Sequence, residues 1–217
     1  MKIIQTNGIT YLEPVPGGTA EWYYGMDYNH GDLYEAEEMV REGLPVEGNR
    51  LVLVSYPGGE VFEPVAKEAG TYSGTPLYYQ DGIYTISVDF VRQTIRIYRF
   101  DCRTHECRME QELPLSIVKD CYNLQLHASP LCLTRQGGEN LFEIVWPEKA
   151  SFAMDPHESF FLRDGEKLYF SKWYEEGEGE TYRYWEETVV RNLAGELTEV
   201  LPGDLQMMPN GEIWSVR

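Results

Sequence analysis

Aromatic rings stand beside carboxylates at three places in this sequence: residues 22–24 with acids close by, residues 173–176, and residues 182–187. Flat rings stack against the faces of sugars, and neighbouring carboxylates hydrogen-bond sugar hydroxyl groups. A second interpretation is that tyrosine and tryptophan in strands pack between sheets. The pattern therefore predicts a sugar-like small-molecule site or a protein-binding surface. Its ring residues would be Trp22, Tyr24, Trp173 and Trp185.

Two aspartates occupy equivalent places in an internal repeat. Residues 22–28 align without a gap on residues 84–90, and in this alignment Asp27 corresponds to Asp89. Glycosidases use two carboxylates about 5–10 Å apart for acid–base or nucleophilic work. If Asp27 and Asp89 converge in one cleft, the protein would be a carbohydrate-active hydrolase. The alternative is that each aspartate caps the turn after its strand.

Motifs of other enzyme classes are missing from the sequence. It contains no Gly-rich phosphate loop ending in Lys-Ser or Lys-Thr, no Gly-x-Ser-x-Gly, no His-Glu-x-x-His and no dinucleotide fingerprint. We therefore expect a non-enzymatic binding module that uses no cofactor. The carbohydrate hydrolase is the alternative.

The segment containing Cys102, His105 and Cys107, with Cys121 beyond it, has the ligand types of a zinc site. A single Cys–Cys pair in a hairpin-like loop is also expected where the cysteines are ordinary small buried residues or loop residues. We expect no metal here, with zinc at these four residues as the alternative. In a cytosolic chain of this size the thiols are expected to be free.

Strands must position these residues, because breakers are frequent. Twenty glycines and twelve prolines leave few runs long enough for a helix. The segments between them are rich in Tyr, Val, Ile, Phe and Trp, which favour strands. The predicted strands are residues 22–28, 51–56, 83–90, 94–100, 141–146, 167–173, 182–190 and 213–216.

Several of these strands are apolar on both faces, which is typical of strands covered on each side. Helices to provide that cover are missing, so stacked antiparallel sheets must provide it, as in a β-propeller. We predict an all-β fold of antiparallel repeats, a propeller of four to five blades in a single domain spanning residues 1–217. Apolar runs at the two termini would share a sheet and close the ring. The alternative is one large antiparallel barrel or sandwich.

The segment 32–43 has features of both helix and strand. Asp32 followed by Glu35 resembles a capping box, apolar residues are roughly helix-spaced, and Gly43 could end a helix. However, residues 33–38 align on the second strand of the other repeat, residues 95–100. We predict a strand on that alignment.

The charge excludes two classes of partner. Eighteen Lys and Arg stand against thirty-six Asp and Glu, a net charge of −18. Such a field repels nucleic acid and anionic membrane surfaces, and favours a basic partner. No long apolar span and no signal-peptide core is present, so we expect a cytoplasmic protein. The acidic run 175–180 is expected to form an exposed hairpin loop.

Overall fold

The fold is all-β, as the sequence predicts. The structure is a computed structural model and describes residues 1–27, 32–208 and 210–216. Four small antiparallel sheets follow one another along the chain and are arranged as a four-bladed β-propeller. The propeller prediction is confirmed, with four blades rather than five. Tyr28, the last residue of the first predicted strand, lies outside the described residues.

The chain divides into two compact units, residues 1–126 and 127–217. The prediction of a single domain therefore stays a prediction. The first sheet contains β1 (Glu13–Pro14), β2 (Trp22–Met26), β3 (Leu51–Ser55) and β4 (Val61–Phe62), with helix α1 (Leu33–Arg41) between β2 and β3. The second contains β5 (Thr71–Ser73), β6 (Leu77–Tyr79), β7 (Gly82–Asp89), β8 (Thr94–Asp101) and β9 (Cys107–Pro114).

The third and fourth sheets follow, the third beginning at the boundary between the units. The third contains β10 (Gln125–His127), β11 (Cys132–Gly137), β12 (Leu141–Trp146) and β13 (Ala150–Ala153). The fourth contains β14 (Glu158–Asp164), β15 (Lys167–Glu176), β16 (Arg183–Arg191) and β17 (Leu197–Pro202). A separate hairpin of β18 (Asp204–Met207) and β19 (Ile213–Val216) ends the chain.

Each unit has its own apolar core. Strand β7 is buried on both faces, as predicted, although one face carries the polar residues Thr85, Ser87 and Asp89. A cluster in the first unit is built from Val15, Trp22, Tyr24, Met26, Leu51, Leu53, Ile83 and Phe100. One in the second unit is built from Cys132, Phe142, Ile144, Met154, Leu168, Phe170 and Val189.

The strand predicted at residues 33–38 is wrong, because these residues belong to helix α1. The Asp32 side chain accepts hydrogen bonds from the backbone nitrogens of Tyr34 and Glu35, at 3.0 and 3.1 Å. Leu33 and Ala36, one turn apart, are buried. The capping signal outweighs the repeat alignment because the helix is an insertion: β2 pairs with β3 beyond it, as β7 pairs with β8.

The prediction that the two termini share a sheet is also wrong. Strand β19 pairs with β18 in a two-stranded sheet of their own. A turn at Asn210 and Gly211 lets the chain fold back, so the C-terminal apolar run finds its partner locally. Among the described residues, no helix has the length and hydropathy that a membrane span requires.

Candidate functional site

Trp22 and Tyr24 lie in the core of the first unit. Trp22 is only 5% exposed, and its ring meets the Phe100 ring edge-on at 5.4 Å. The buried Tyr24 donates its hydroxyl hydrogen to the Glu13 carboxylate at 2.7 Å. Burial, reinforced by Glu13, raises the pKa of the Tyr24 phenol well above its ordinary value. Because protein covers these two rings, their role is packing, and the ligand-stacking role expected of them is corrected.

Asp89 holds the turn between β7 and β8. Its Oδ1 accepts hydrogen bonds from the backbone nitrogens of Val91 and Arg92, at 3.0 and 2.7 Å. Its Oδ2 lies 3.0 Å from the Arg92 guanidinium and 3.5 Å from that of Arg96. Burial alone would raise the pKa of this carboxyl, but these hydrogen bonds and positive charges outweigh it and hold the pKa below its ordinary value. A glycosidase general acid needs the opposite, a raised pKa.

Asp27, at the end of β2, contacts residues that are distant in sequence. Its Oδ1 accepts a hydrogen bond from the backbone nitrogen of Arg50, and its own backbone nitrogen donates to the Arg50 carbonyl at 3.2 Å. The Lys67 ammonium lies 3.7 Å from its Oδ2. Asp27 thus ties the end of β2 to the chain entering β3. Of the two aligned aspartates, Asp89 caps the turn after its strand, whereas Asp27 contacts residues distant in sequence.

Replacing Asp89 with asparagine is expected to lower the free energy of unfolding by about 1–3 kcal/mol at neutral pH, because a buried charged acceptor is lost. The folded-state pKa lies below the ordinary 3.8. The contribution of the carboxylate is therefore present above about pH 4 and is lost as pH falls through the folded-state pKa. Urea unfolding at about pH 7 and about pH 3 measures both effects. Asp164→Asn, at an exposed residue, is the control, and an equally small loss in both variants at neutral pH would contradict the cap role.

Three of the four candidate zinc ligands lie at the β8–β9 connection: Cys102 and His105 in the loop, and Cys107 as the first residue of β9. Cys102 and Cys107 are half-buried against the core of the first unit. Burial raises the pKa of the Cys102 thiol to about 12 and that of Cys107 to about 11. The His105 ring lies parallel to the Phe100 ring, with centroids 6.0 Å apart. The thiolate is the form that binds a metal, and in the absence of a metal this environment favours the neutral thiols.

Cys121 lies on a different segment. It is buried, and its backbone nitrogen donates to the Glu37 carboxylate at 2.7 Å. Burial again raises the pKa of its thiol. Within residues 1–27, 32–208 and 210–216, no three His, Cys, Asp or Glu side chains are grouped so that they could hold a metal. The zinc alternative therefore gains no support.

Trp173 and Trp185 lie on a two-stranded extension of the fourth sheet. Strand β14 pairs with β15 only as far as Lys172, and β17 pairs with β16 only from Glu187 onward. Beyond these points β15 and β16 continue alone, in a register that runs from Trp173 opposite Glu186 to Glu176 opposite Arg183. We call residues 173–186 the arm. The acidic run is exposed, as predicted, although its first two residues extend β15.

The tip of the arm is a defined turn. Gly177 has a φ of +81°, and a Cβ atom there would lie 2.4 Å from the Thr181 carbonyl oxygen. The Thr181 hydroxyl donates to the Glu178 carbonyl at 2.8 Å, and the Glu178 backbone nitrogen donates to that hydroxyl at 3.2 Å. Glycine at this position and the Glu178–Thr181 contacts therefore fix how the two strands of the arm are joined.

Alternation of side chains gives the arm two faces. On one face the rings of Tyr174 and Trp185 stack with centroids 5.1 Å apart and planes 6° from parallel. The Lys172 ammonium lies 5.4 Å from the Tyr174 centroid, and Arg183 lies 3.9 Å from Glu176. Acids and bases are both present on this side. We call it the charge-paired face.

The opposite side, the acidic aromatic face, comprises Trp173, Glu175, Tyr182, Tyr184 and Glu186. The Trp173 ring stacks on the His157 ring at 3.7 Å and lies 6.5 Å from the Tyr184 ring. Tyr184 donates its hydroxyl hydrogen to Glu186 at 2.6 Å, and Tyr182 donates to Glu175 at 3.1 Å. Both tyrosines are 52% exposed. In the described part of the chain neither glutamate forms an ion pair.

The carboxylates of this face raise the pKa values of its two tyrosines. The hydrogen bond from Tyr184 to Glu186 raises the pKa of Tyr184 to about 12, with smaller contributions that include the charge of Asp204. The hydrogen bond to Glu175 raises the pKa of Tyr182. The Oδ1 atom of Asp204 is buried and has no hydrogen-bond partner among the described residues. Among the described residues, Glu175, Glu186 and Asp204 form no ion pair, so the negative charges near these tyrosines are not neutralised.

A buried charge cluster lies at the base of the arm, and sequence reasoning missed it. Glu158, only 4% exposed, accepts two hydrogen bonds from the Arg191 guanidinium, at 2.9 and 3.1 Å. The Lys172 ammonium lies 2.8 Å from Asp155 and 3.6 Å from Glu158. These partners come from three different strands and the loop before them. No local pattern could have paired them, because Glu158 and Arg191 are 33 residues apart.

The first unit also contains a cavity of about 300 Å³, lined in part by Met39, Glu47, Lys67 and Tyr72. That volume is at the lower end of the range for small-molecule sites. Neither Trp22 nor Tyr24 lines it. The rings that the sequence singled out and that reach solvent are therefore those of the arm.

No family model and no curated protein matches this chain. The function must consequently be argued from the residues of the site.

Proposed function

We propose that this protein is a non-enzymatic binding module and that the arm binds a protein partner. The observation that supports the proposal is the group of exposed rings on the arm. Tyr182, Tyr184 and Trp185 are 52%, 52% and 39% exposed, whereas the rings of the core are covered. Large apolar rings that contribute nothing to a core are typical of contact surfaces.

The construction of the arm suits it for binding. Two paired strands and a defined turn hold the rings in fixed positions, so little conformational entropy is lost when a partner covers them. Tyrosine and tryptophan carry much of the affinity in protein interfaces because they bury a large area with few rotatable bonds. A partner on the arm would therefore gain most of its affinity from a few rings.

The contacts of Asp27 and Asp89 do not favour the hydrolase alternative, since both carboxylates accept hydrogen bonds from backbone nitrogens and contact cations. A sugar-like ligand and a cytoplasmic location remain predictions. The rings of the arm suit a sugar as well as a peptide, and the experiment on the proposal has to separate the two.

The test is calorimetric titration with three probes: a decalysine peptide, a Gly-Ser peptide of equal length and maltohexaose. We expect a peptide probe to bind the wild-type protein, and Trp173→Ala combined with Trp185→Ala to weaken that binding at least about 10-fold. Tyr11→Ala, which removes an exposed ring from the first unit, is the matched control and should leave affinity unchanged. Binding of no probe, or of maltohexaose alone, would contradict the proposal, as would peptide binding that the double variant retains.

A further inference from the structure

We propose that the acidic aromatic face of the arm binds an extended segment rich in lysine or arginine. The inference rests on the proposed function and deepens it, because it names the side of the arm and the chemistry of the partner. It is carried by three observations: free carboxylate oxygens, uncovered ring faces, and the spacing of the rings.

The carboxylates of Glu175 and Glu186 are held in orientations that a cation can bind. Glu186 receives the Tyr184 hydroxyl on Oε1, and Glu175 receives the Tyr182 hydroxyl on Oε2. The tyrosines therefore orient both carboxylates while leaving the second oxygen of each for another donor. Hydrogen bonds from an ammonium or guanidinium group to such oxygens are stronger than those from neutral donors. Asp204, close to Tyr184, adds a third negative charge.

The rings offer a second contact for the same cation. An ammonium or guanidinium group is attracted to the face of an aromatic ring within about 6 Å of its centroid. The arm already shows this geometry on its charge-paired face, where the Lys172 ammonium lies 5.4 Å from the Tyr174 centroid. On the acidic aromatic face Tyr182 and Tyr184 are half exposed, and no lysine or arginine is positioned over them in the described part of the chain.

The spacing fits an extended chain. Tyr182 and Tyr184 are two residues apart on one side of the arm, and each is hydrogen-bonded to its own glutamate. Side chains on one side of an extended segment repeat every two residues, about 6.6 Å. Basic residues at alternate positions of a partner can therefore contact both tyrosine rings and both glutamates at once.

Other occupants fit the charges less well. A second copy of the chain carries the same net charge of −18 and would be repelled. A neutral sugar gains ring stacking and hydrogen bonds to the carboxylates, but no attraction between opposite charges. A basic segment gains all three, and long-range attraction also speeds its association.

The test is calorimetric titration of the full chain with a peptide of five Lys-Ser repeats and with its Gln-Ser counterpart. Glu175→Gln combined with Glu186→Gln removes two charges from the acidic aromatic face and keeps the shape and the acceptor atoms. The matched control, Glu176→Gln combined with Glu187→Gln, removes two charges from the other side: Glu176 lies opposite Arg183, and Glu187, next to the arm, lies opposite Lys172. Thermal unfolding of both variants checks that the arm and its sheet stay folded.

We expect the Lys-Ser peptide to bind the wild-type protein, the first variant to bind it about 10-fold more weakly, and the control to change affinity by less than about twofold. Raising NaCl from about 50 to about 500 mM should weaken binding at least about 10-fold. Equal losses in the two variants would overturn the assignment of the face. Equal affinity for the Gln-Ser peptide, or binding of maltohexaose alone, would overturn the cationic partner. Binding of the Gln-Ser peptide that depends on the rings of the arm would still support the proposed function. If no probe binds, both the proposed function and the inference about the basic segment are contradicted.

Discussion

Replacing Arg191 with methionine is expected to lower the free energy of unfolding by about 3–5 kcal/mol, because Glu158 would keep a buried charge without its main partner. Two hydrogen bonds join the Arg191 guanidinium to both oxygens of Glu158, which is 4% exposed. Methionine preserves most of the apolar volume, so the loss reports the charge rather than a cavity. Urea unfolding followed by circular dichroism measures the change.

Two further variants show whether the buried pair is the cause. Adding Glu158→Gln to Arg191→Met removes the orphaned charge and should recover part of the loss, because the two residues are directly coupled. The Lys167 ammonium lies 4.0 Å from Glu199 on an exposed part of the same sheet. Lys167→Met should therefore change the free energy of unfolding by less than about 0.5 kcal/mol. A loss below about 1 kcal/mol in Arg191→Met would contradict this account of the base of the arm.

Replacing Phe142 with alanine is expected to cost about 3–5 kcal/mol, since it removes a fully buried ring from the core of the second unit. The ring contacts those of Phe152, Phe160 and Phe170, with centroids 4.6–5.3 Å apart. These neighbours are held in their sheets and cannot collapse fully into the space. The same unfolding experiment measures the loss.

Tyr182→Ala is the matched comparison, because it removes a ring of similar size from the arm. That ring is 52% exposed, so we expect a change of less than about 0.5 kcal/mol in the free energy of unfolding. Comparable losses at Phe142 and Tyr182 would mean that the rings of the arm stabilise the fold. The proposal that they serve binding would then lose its basis.

Much of the architecture could be predicted because its cause is local. Residues 141–146 form β12 within the predicted limits, since a run of aromatic and β-branched residues bounded by breakers fits a pleated sheet. The burial of β7 on both faces is less direct, because Thr85, Ser87 and Asp89 on its odd-numbered face are polar and yet buried. The repeat alignment does not predict helix α1, whereas the cap at Asp32 indicates it, because the cap acts directly on the backbone.

The candidate site could be predicted only in part. Trp22 and Trp173 are alike in sequence, each followed by a second aromatic residue in a strand. One is buried, and the other belongs to the part of β15 that continues beyond its neighbour β14. How far a strand extends past its neighbour depends on the register between segments that are distant in sequence. The sequence of one strand alone does not encode that register. The same limit hides the Glu158–Arg191 pair and the difference between the two faces of the arm.

The most direct test of the arm as a binding surface is a nuclear magnetic resonance titration of the full-length, isotope-labelled protein with the Lys-Ser peptide. The predicted result is that the largest shift changes occur at the backbone amides of the acidic aromatic face and at the indole N–H of Trp173. Largest changes in the first unit or on the charge-paired face, or no changes at peptide concentrations that saturate calorimetric binding, would contradict the account.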